Sequence, residues 1–222
     1  MLDRLNYSPW LENLKFDWSE LFDIGNKIHI KKGNILYNAH DQINFVYIIM
    51  KGRVQLFLIN EEGKEKSLII IGKNGLLGEY NQENNEYITY TQTVSDTILC
   101  KIPKRKFETL LETNKKLSEQ RLEMLTMKLN LVANRLLQTS YDDSQSKVIR
   151  VFVNLAETYG EPITETKVKI NIKFTHQEIA FLIGSTRVTV ANMIKHLINS
   201  NLIEKTDGYY FINNINNLKS MI

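Results

Sequence analysis

The sequence predicts an α+β chain in three parts. These are an N-terminal antiparallel β-roll of jelly-roll type (residues 1–104), a long helix that pairs with a second copy (105–140), and a C-terminal winged helix-turn-helix (141–222). Three observations predict it. Short apolar runs separated by glycines fill the first hundred residues. A helical stretch without proline or glycine follows. Near the C-terminus, Phe174 to Lys205 reads FTHQEIAFLIGSTRVTVANMIKHLINSNLIEK, two short helices around a tight turn.

The roll comes first. Its apolar runs are Ile28–Ile30, Phe45–Met50, Val54–Ile59, Leu68–Ile71 and Thr97–Ile102. Gly33, Gly52, Gly63, Gly72, Gly75 and Gly78 punctuate them, and Glu62-Gly63-Lys64 suits a hairpin tip. Ahead of these strands, Leu2 to Phe22 is helical or irregular, with Trp10 and Trp18 tucked onto the roll.

From Arg105 to Gln138 the period becomes helical and unbroken. Leu122, Leu125, Leu129, Val132 and Leu136 alternate spacings of three and four, a heptad stripe suited to a seam with a partner copy. Packing of that stripe on the chain's own roll stays open as the alternative. Thr139–Ser144 (TSYDDS) reads as a hinge, and Asp143 or Ser144 suits the cap of a helix over Lys147–Tyr159. In that helix Val148, Val151, Phe152, Leu155 and Tyr159 face a core; Gly160 ends it, and Pro162 follows. Lys167–Ile172 is a short strand.

In the next segment Thr175 and Glu178 fit a reciprocal capping box. Ile179, Ala180, Leu182 and Ile183 give the first helix its apolar side, and Gly184 sits where the chain reverses. Ser185 or Thr186 caps the second helix, whose Val190, Ile194, Leu197 and Ile198 pack on the first. The opposite face carries Arg187, Val188, Thr189, Asn192, Lys195 and His196. Such a face suits the major groove of double-stranded DNA. A guanidinium forks onto guanine or phosphate, an asparagine pairs with adenine, and the Val188 and Thr189 methyls meet thymine methyls. Thr175, Gln177, Thr186 and Lys195 complete the candidate DNA contacts, with Thr175 and Gln177 placed for phosphates. Ile203 to Ile212 forms two β runs around Asp207-Gly208, a wing.

Charge agrees. Between Lys167 and Lys205 six Lys/Arg face only Glu178 and Glu204, a net of +4 in a chain whose whole net charge is +3. The 222 residues suit two domains, and the composition is that of a globular chain. No apolar run approaches the ~20 residues of a membrane span, and the start MLDRLNYSPW lacks a signal core, so the expected location is cytoplasmic with no membrane partner. The single cysteine, Cys100, excludes an internal disulfide framework and suits a small buried hydrophobe better than a redox sensor.

Glycine-punctuated roll, long helix, hinge and winged helix in this order resemble the Crp/Fnr family of bacterial transcription regulators. The resemblance rests on the roll glycines, on Gly78-Glu79 after Leu76-Leu77, and on THQEIAFLIGSTRVTVANMIKHL. It implies a cyclic-nucleotide-binding-like roll, a homodimer, palindromic DNA, and an effector pocket between roll and long helix. The cyclic-AMP branch of that family has an Arg-Ser pair where Tyr87 and Ile88 stand here, which argues against cyclic AMP. The iron–sulfur branch has N-terminal cysteines that this chain lacks. His29 and His40 are more simply turn or surface residues than haem ligands. The Val188-Thr189-Val190 run is similar to the branch that senses halogenated aromatic acids; the virulence-regulator branch of Gram-positive bacteria is a weaker relative. Val188 and Asn192 replace the family's frequent base-reading glutamate and arginine, so the expected operator is an A·T-rich inverted repeat.

The candidate effector residues are Gly78, Glu79, Tyr80, Tyr87, Tyr90 and Lys128, an aromatic wall with one cation suited to a small aromatic or apolar anion; ordinary strand tyrosines and a solvated lysine are the simpler reading. Two rivals remain. One is a constitutive DNA-binding regulator whose roll is a scaffold or a docking face for RNA polymerase. The other is a cupin-like metal enzyme, which the scattered His29, His40, His176 and His196 do not support. No catalytic residue, metal site or cofactor is expected.

Overall fold

The computed structural model describes residues 10–63, 65–78, 80–81, 84–138 and 144–222. They form two compact units that divide after Asn130. The first contains β1 (Trp10–Leu11), α1 (Ser19–Phe22), β2 (Asn26–Ile30), β3 (Phe45–Lys51), β4 (Val54–Ile59), β5 (Glu65–Ile71), β6 (Leu76–Leu77), β7 (Tyr80–Asn81), β8 (Glu86–Tyr87), β9 (Tyr90–Thr93), β10 (Thr97–Pro103), α2 (Lys104–Thr113) and the start of α3 (Lys115–Gln138). The second contains the end of α3, then α4 (Ser144–Tyr159), β11 (Gly160–Pro162), β12 (Val168–Ile170), α5 (His176–Ile183), α6 (Arg187–Asn199), β13 (Ile203–Thr206), β14 (Tyr209–Ile212) and α7 (Ile215–Lys219).

Every apolar run expected to be a strand is one. They assemble into two four-stranded sheets, β1-β5-β4-β9 and β2-β10-β3-β6, with the hairpin β7-β8 beside them. Ile48, Ile49, Val54, Ile70, Leu77 and Leu99 are among the fully covered side chains of this core. At Gly52 the φ of +88° and an Asp96 carbonyl 2.5 Å from where a Cβ would stand explain why only glycine fits the turn. Trp10 and Trp18 are buried as expected. Trp10 enters through a parallel pairing of β1 with β5, opposite Ile70, and the Trp18 indole donates to the Asn74 carbonyl at 2.8 Å.

The long helix is not continuous. Asn114 is extended (φ −119°, ψ 96°) and separates α2 from α3. Its Oδ1 accepts from the Leu117 amide at 3.2 Å, so it caps α3 while ending α2. The sequence held no proline or glycine here, but an asparagine whose side chain competes with the helix backbone does the same work.

In the second unit α4 begins at Ser144. The remainder of the expected hinge, residues 139–143, lies outside the described residues. Val148, Val151, Phe152 and Leu155 are buried as expected, and Tyr159 is half-buried. Gly160–Pro162, expected only as a helix stop, is a strand. It pairs with β12 in the sheet β11-β12-β14-β13. A Cβ on Gly160 would lie 1.9 Å from the Ala156 carbonyl, so the abrupt exit from α4 needs glycine. Phe152, Phe174 and Tyr210 form an aromatic nucleus with centroids 5.0–5.7 Å apart. No helix among the described residues is long and apolar enough to cross a membrane.

Candidate nucleic-acid interface

The helix pair α5–α6 is built by local caps. The Thr175 hydroxyl accepts from the Glu178 amide at 3.2 Å, and the Glu178 carboxylate accepts from the Thr175 amide at 2.7 Å and hydroxyl at 2.8 Å. Gly184 takes the left-handed conformation (φ 67°, ψ 42°), and the chain turns there. Of the two candidate caps for α6, Thr186 is the one used. Its Oγ1 accepts from the Thr189 amide at 3.1 Å and lies 2.8 Å from the Thr189 hydroxyl. Val190, Ile194 and Leu197 are buried, whereas Ile198 is 39% exposed.

That packing fixes which side of α6 faces outward. Thr186, Arg187, Val188, Asn192, Lys195 and His196 are exposed, and Thr189 is partly so. Val188 is 69% exposed, an apolar residue held in water at the first turn of a helix whose other valine is covered. At the start of α5 the placement departs from expectation. Gln177 is half-exposed, but both donors of Thr175 are committed to Glu178, so Thr175 offers no N–H or O–H to a phosphate.

The wing is the expected hairpin. Asp207 (φ 52°) and Gly208 (φ 82°) are consecutive left-handed residues, which a two-residue hairpin turn with the twist of its strands requires. Lysines line it over aromatic rings. Lys169 and Lys173 each lie 4.7 Å from the Tyr209 centroid, and Lys205 lies 4.7 Å from that of Tyr210. In the sequence His176 lies inside the capping-box segment and counts only as one of four scattered histidines. The structure places its Nε2 3.0 Å from the Tyr210 hydroxyl, so it joins the first helix to the wing. No spacing rule could have found that contact, because it pairs residues 34 apart.

In the first unit, Gly78, Tyr87 and Lys128 gather near one stretch of backbone. Gly78 is left-handed (φ +105°), and a Cβ there would lie 3.1 Å from Val46 Cα. The Tyr87 hydroxyl donates to the Phe45 carbonyl at 2.6 Å, and its ring stacks 3.8 Å from that of Tyr37. Lys128 is buried, not solvated. Its Nζ donates to the Leu76 carbonyl at 2.6 Å, and burial pulls the ammonium down to about 7. Tyr90 stands apart, stacked on Phe57 at 5.5 Å. Glu79 and the Tyr80 side chain lie outside the described residues.

Along α3, Leu117, Met124 and Lys128 are buried, while Leu122 and Leu129 are 66% and 69% exposed. Those two leucines therefore do not pack on the chain's own roll. Leu125 and Val132 are half-buried, and the Leu136 side chain lies outside the described residues. Cys100 is buried and burial pushes its thiol up; His29 and His40 are exposed, His40 3.3 Å from a Glu86 oxygen. Among the described residues no three His, Cys, Asp or Glu side chains form a metal-holding group.

Comparison with known proteins covers both units. Residues 27–114 match the cyclic nucleotide-binding domain, and residues 146–221 match the Crp-like helix-turn-helix domain. The global nitrogen regulator of Synechococcus elongatus is 27% identical over 183 residues, covering 78% of this chain and 79% of that protein. The cAMP-activated global transcriptional regulator CRP of Salmonella typhimurium is 25% identical over 171 residues, 76% of this chain and 80% of that one. Among solved structures, CprK complexed with OCPA superposes with a TM-score of 0.72 at 20% identity, over 91% of this chain and 92% of that chain, which shows the shared fold.

Proposed function

Because this chain belongs to the Crp/Fnr family of DNA-binding transcription regulators, we propose that two copies of it read an A·T-rich inverted repeat through α6, under control of a small molecule other than cyclic AMP. The single observation that carries this reading is the exposed face of α6. Arg187, Val188, Asn192 and Lys195 stand in solvent beyond a helix pair whose other side is buried. Asn192 pairs with adenine, Val188 and Thr189 meet thymine methyls, and Arg187 takes a guanine or a phosphate. Gln177 holds the backbone at the start of α5. Leu122 and Leu129 support pairing of two copies, since a monomer in water would leave both leucines uncovered. The pair then sets two α6 helices ~34 Å apart, one DNA turn.

The regulatory half follows from what the roll does with its polar groups. Where the cyclic-AMP branch holds a phosphate with an arginine, Tyr87 is buried and its hydroxyl is committed to the Phe45 carbonyl. A cyclic phosphate there would meet a packed ring in place of a guanidinium fork. Lys128 is a buried amine beside Leu76 that a small anion would hold in its protonated form, and an effector acts by its differential affinity for two arrangements of the dimer, typically ~1–3 kcal/mol. A roll that serves as scaffold or as a docking face for RNA polymerase is the second reading, favoured by how completely Tyr87 and Lys128 are used within the fold.

Binding-site selection from random duplex DNA, with and without extract of the source cells, tests the proposal. Enrichment of A·T-rich inverted repeats, stronger with extract, is the expected result. GC-rich half-sites reject the assigned base contacts, and enrichment indifferent to extract favours the scaffold reading.

A further inference from the structure

We infer that His176 is a DNA-phosphate ligand that takes up a proton on binding, so that operator affinity is linked to pH through this one side chain. The inference rests on the reading of α5, α6 and the wing as the DNA interface. His176 is the first residue of α5, half-buried, with Nε2 3.0 Å from the Tyr210 hydroxyl. Tyr210 is itself fixed. It is fully covered, stacked on Phe174 at 5.0 Å, edge-on to Phe152 at 5.1 Å, and paired across the hairpin with Lys205. Burial raises its phenol to about 12, so it stays a neutral partner at every working pH. With Nε2 held, Nδ1 is the ring's remaining polar atom.

The charges around the ring explain why a phosphate belongs there. Burial first, and then repulsion of a proton by Lys205 from β13 and Arg187 from α6, hold His176 below the ordinary histidine range. The carboxylate of its own helix, Glu178, is turned back onto Thr175 and does not offset them. Tyr210 from β14 and Phe152 from α4 add no charge. Free protein therefore presents a neutral imidazole beside two cations, an arrangement that a phosphate oxygen reverses: one negative charge stabilises the imidazolium and both neighbours. The residue also answers a gap, because Thr175 beside it has no donor left for the backbone.

The linkage has a definite sign. DNA raises the His176 pKa, so the complex binds more protons than the free protein and affinity rises as pH falls from the bound-state value to the free-state value. Below the free-state value both forms are protonated and the gain stops. The gain is about tenfold per subunit for each unit by which DNA raises the pKa. Measuring affinity for a selected operator from pH 5.5 to 8 at constant salt, by fluorescence anisotropy, tests this. The wild type should tighten toward acid, His176→Gln should bind with a flat profile, and His196→Gln, which removes the other imidazole of this face, should keep the slope. A slope unchanged in His176→Gln overturns the inference while leaving the DNA interface intact. No binding by the wild type at any pH instead refutes the DNA reading itself. A proton NMR titration of the His176 ring in wild-type protein needs no variant: its midpoint should lie below ~6.5 in free protein and move up with operator, and an unmoved midpoint overturns the inference.

Discussion

The two units use polar residues in opposite ways. On α6 they are left over: Arg187, Asn192 and Lys195 stand in water while Val190, Ile194 and Leu197 are spent on packing. Inside the roll several are consumed, although Gln55 Oε1 and Ser67 Oγ are buried without a hydrogen-bond partner. Thr91 and Thr93 hydroxyls bond backbone at Tyr37, Lys31 and Asn34, Tyr87 bonds Phe45, and Lys128 bonds Leu76. A polar face that the fold does not need points to a partner outside the chain. A polar interior that the fold does need says much less about any ligand.

Four substitutions sharpen or break that contrast, from the largest effect down. Leu129→Glu places like charges across the proposed seam and should cost on the order of 3 kcal/mol or more of pairing; sedimentation equilibrium should show monomers, and a persistent dimer would move the seam elsewhere. Arg187→Ala should weaken specific binding by ~1–3 kcal/mol if the guanidinium reads a base. Equal losses on operator and random DNA would assign it to phosphate instead.

Lys128→Met tests the interior. Burial holds the Lys128 ammonium near about 7, below its ordinary value of 10.5, so the unfolded chain keeps a proton that the folded chain gives up. Stability then rises with pH through that window, by roughly 2 kcal/mol from pH 7 to 9. Urea unfolding should show the rise in the wild type and lose it in Lys128→Met; an identical slope in both would mean the ammonium is solvated after all. Smallest, Thr186→Ala removes the α6 cap and should destabilise the second unit by ~1 kcal/mol, read from its denaturation midpoint. No change would mean that Ser185 replaces it.

The same contrast explains what the sequence disclosed. The capping box of Thr175 and Glu178, the turn at Gly184 and the hairpin at Asp207-Gly208 are each decided within a few residues, so their residue types announced them. The longer strands of the roll, β2, β3, β4, β5 and β10, were legible as apolar runs, whereas the short β1 at Trp10–Leu11 fell in a stretch read as helical or irregular. The break at Asn114 was missed because a lone asparagine in a helical pattern stops it only when its side chain finds an amide, here that of Leu117. Burial of Lys128 was missed because it depends on a carbonyl 52 residues away, and the His176–Tyr210 contact because it spans two separate elements. Strand β11 was hidden behind a glycine and a proline that read equally well as a stop.

Thymine-to-uracil interference on a selected operator tests the central claim most directly, since it removes only the methyl groups that α6 would meet in the major groove. The account predicts two clusters of sensitive thymines, related by the repeat and one helical turn apart, both weakened by Val188→Ser. Sensitivity in one cluster alone, or at no position, would contradict the placing of two α6 helices in successive grooves.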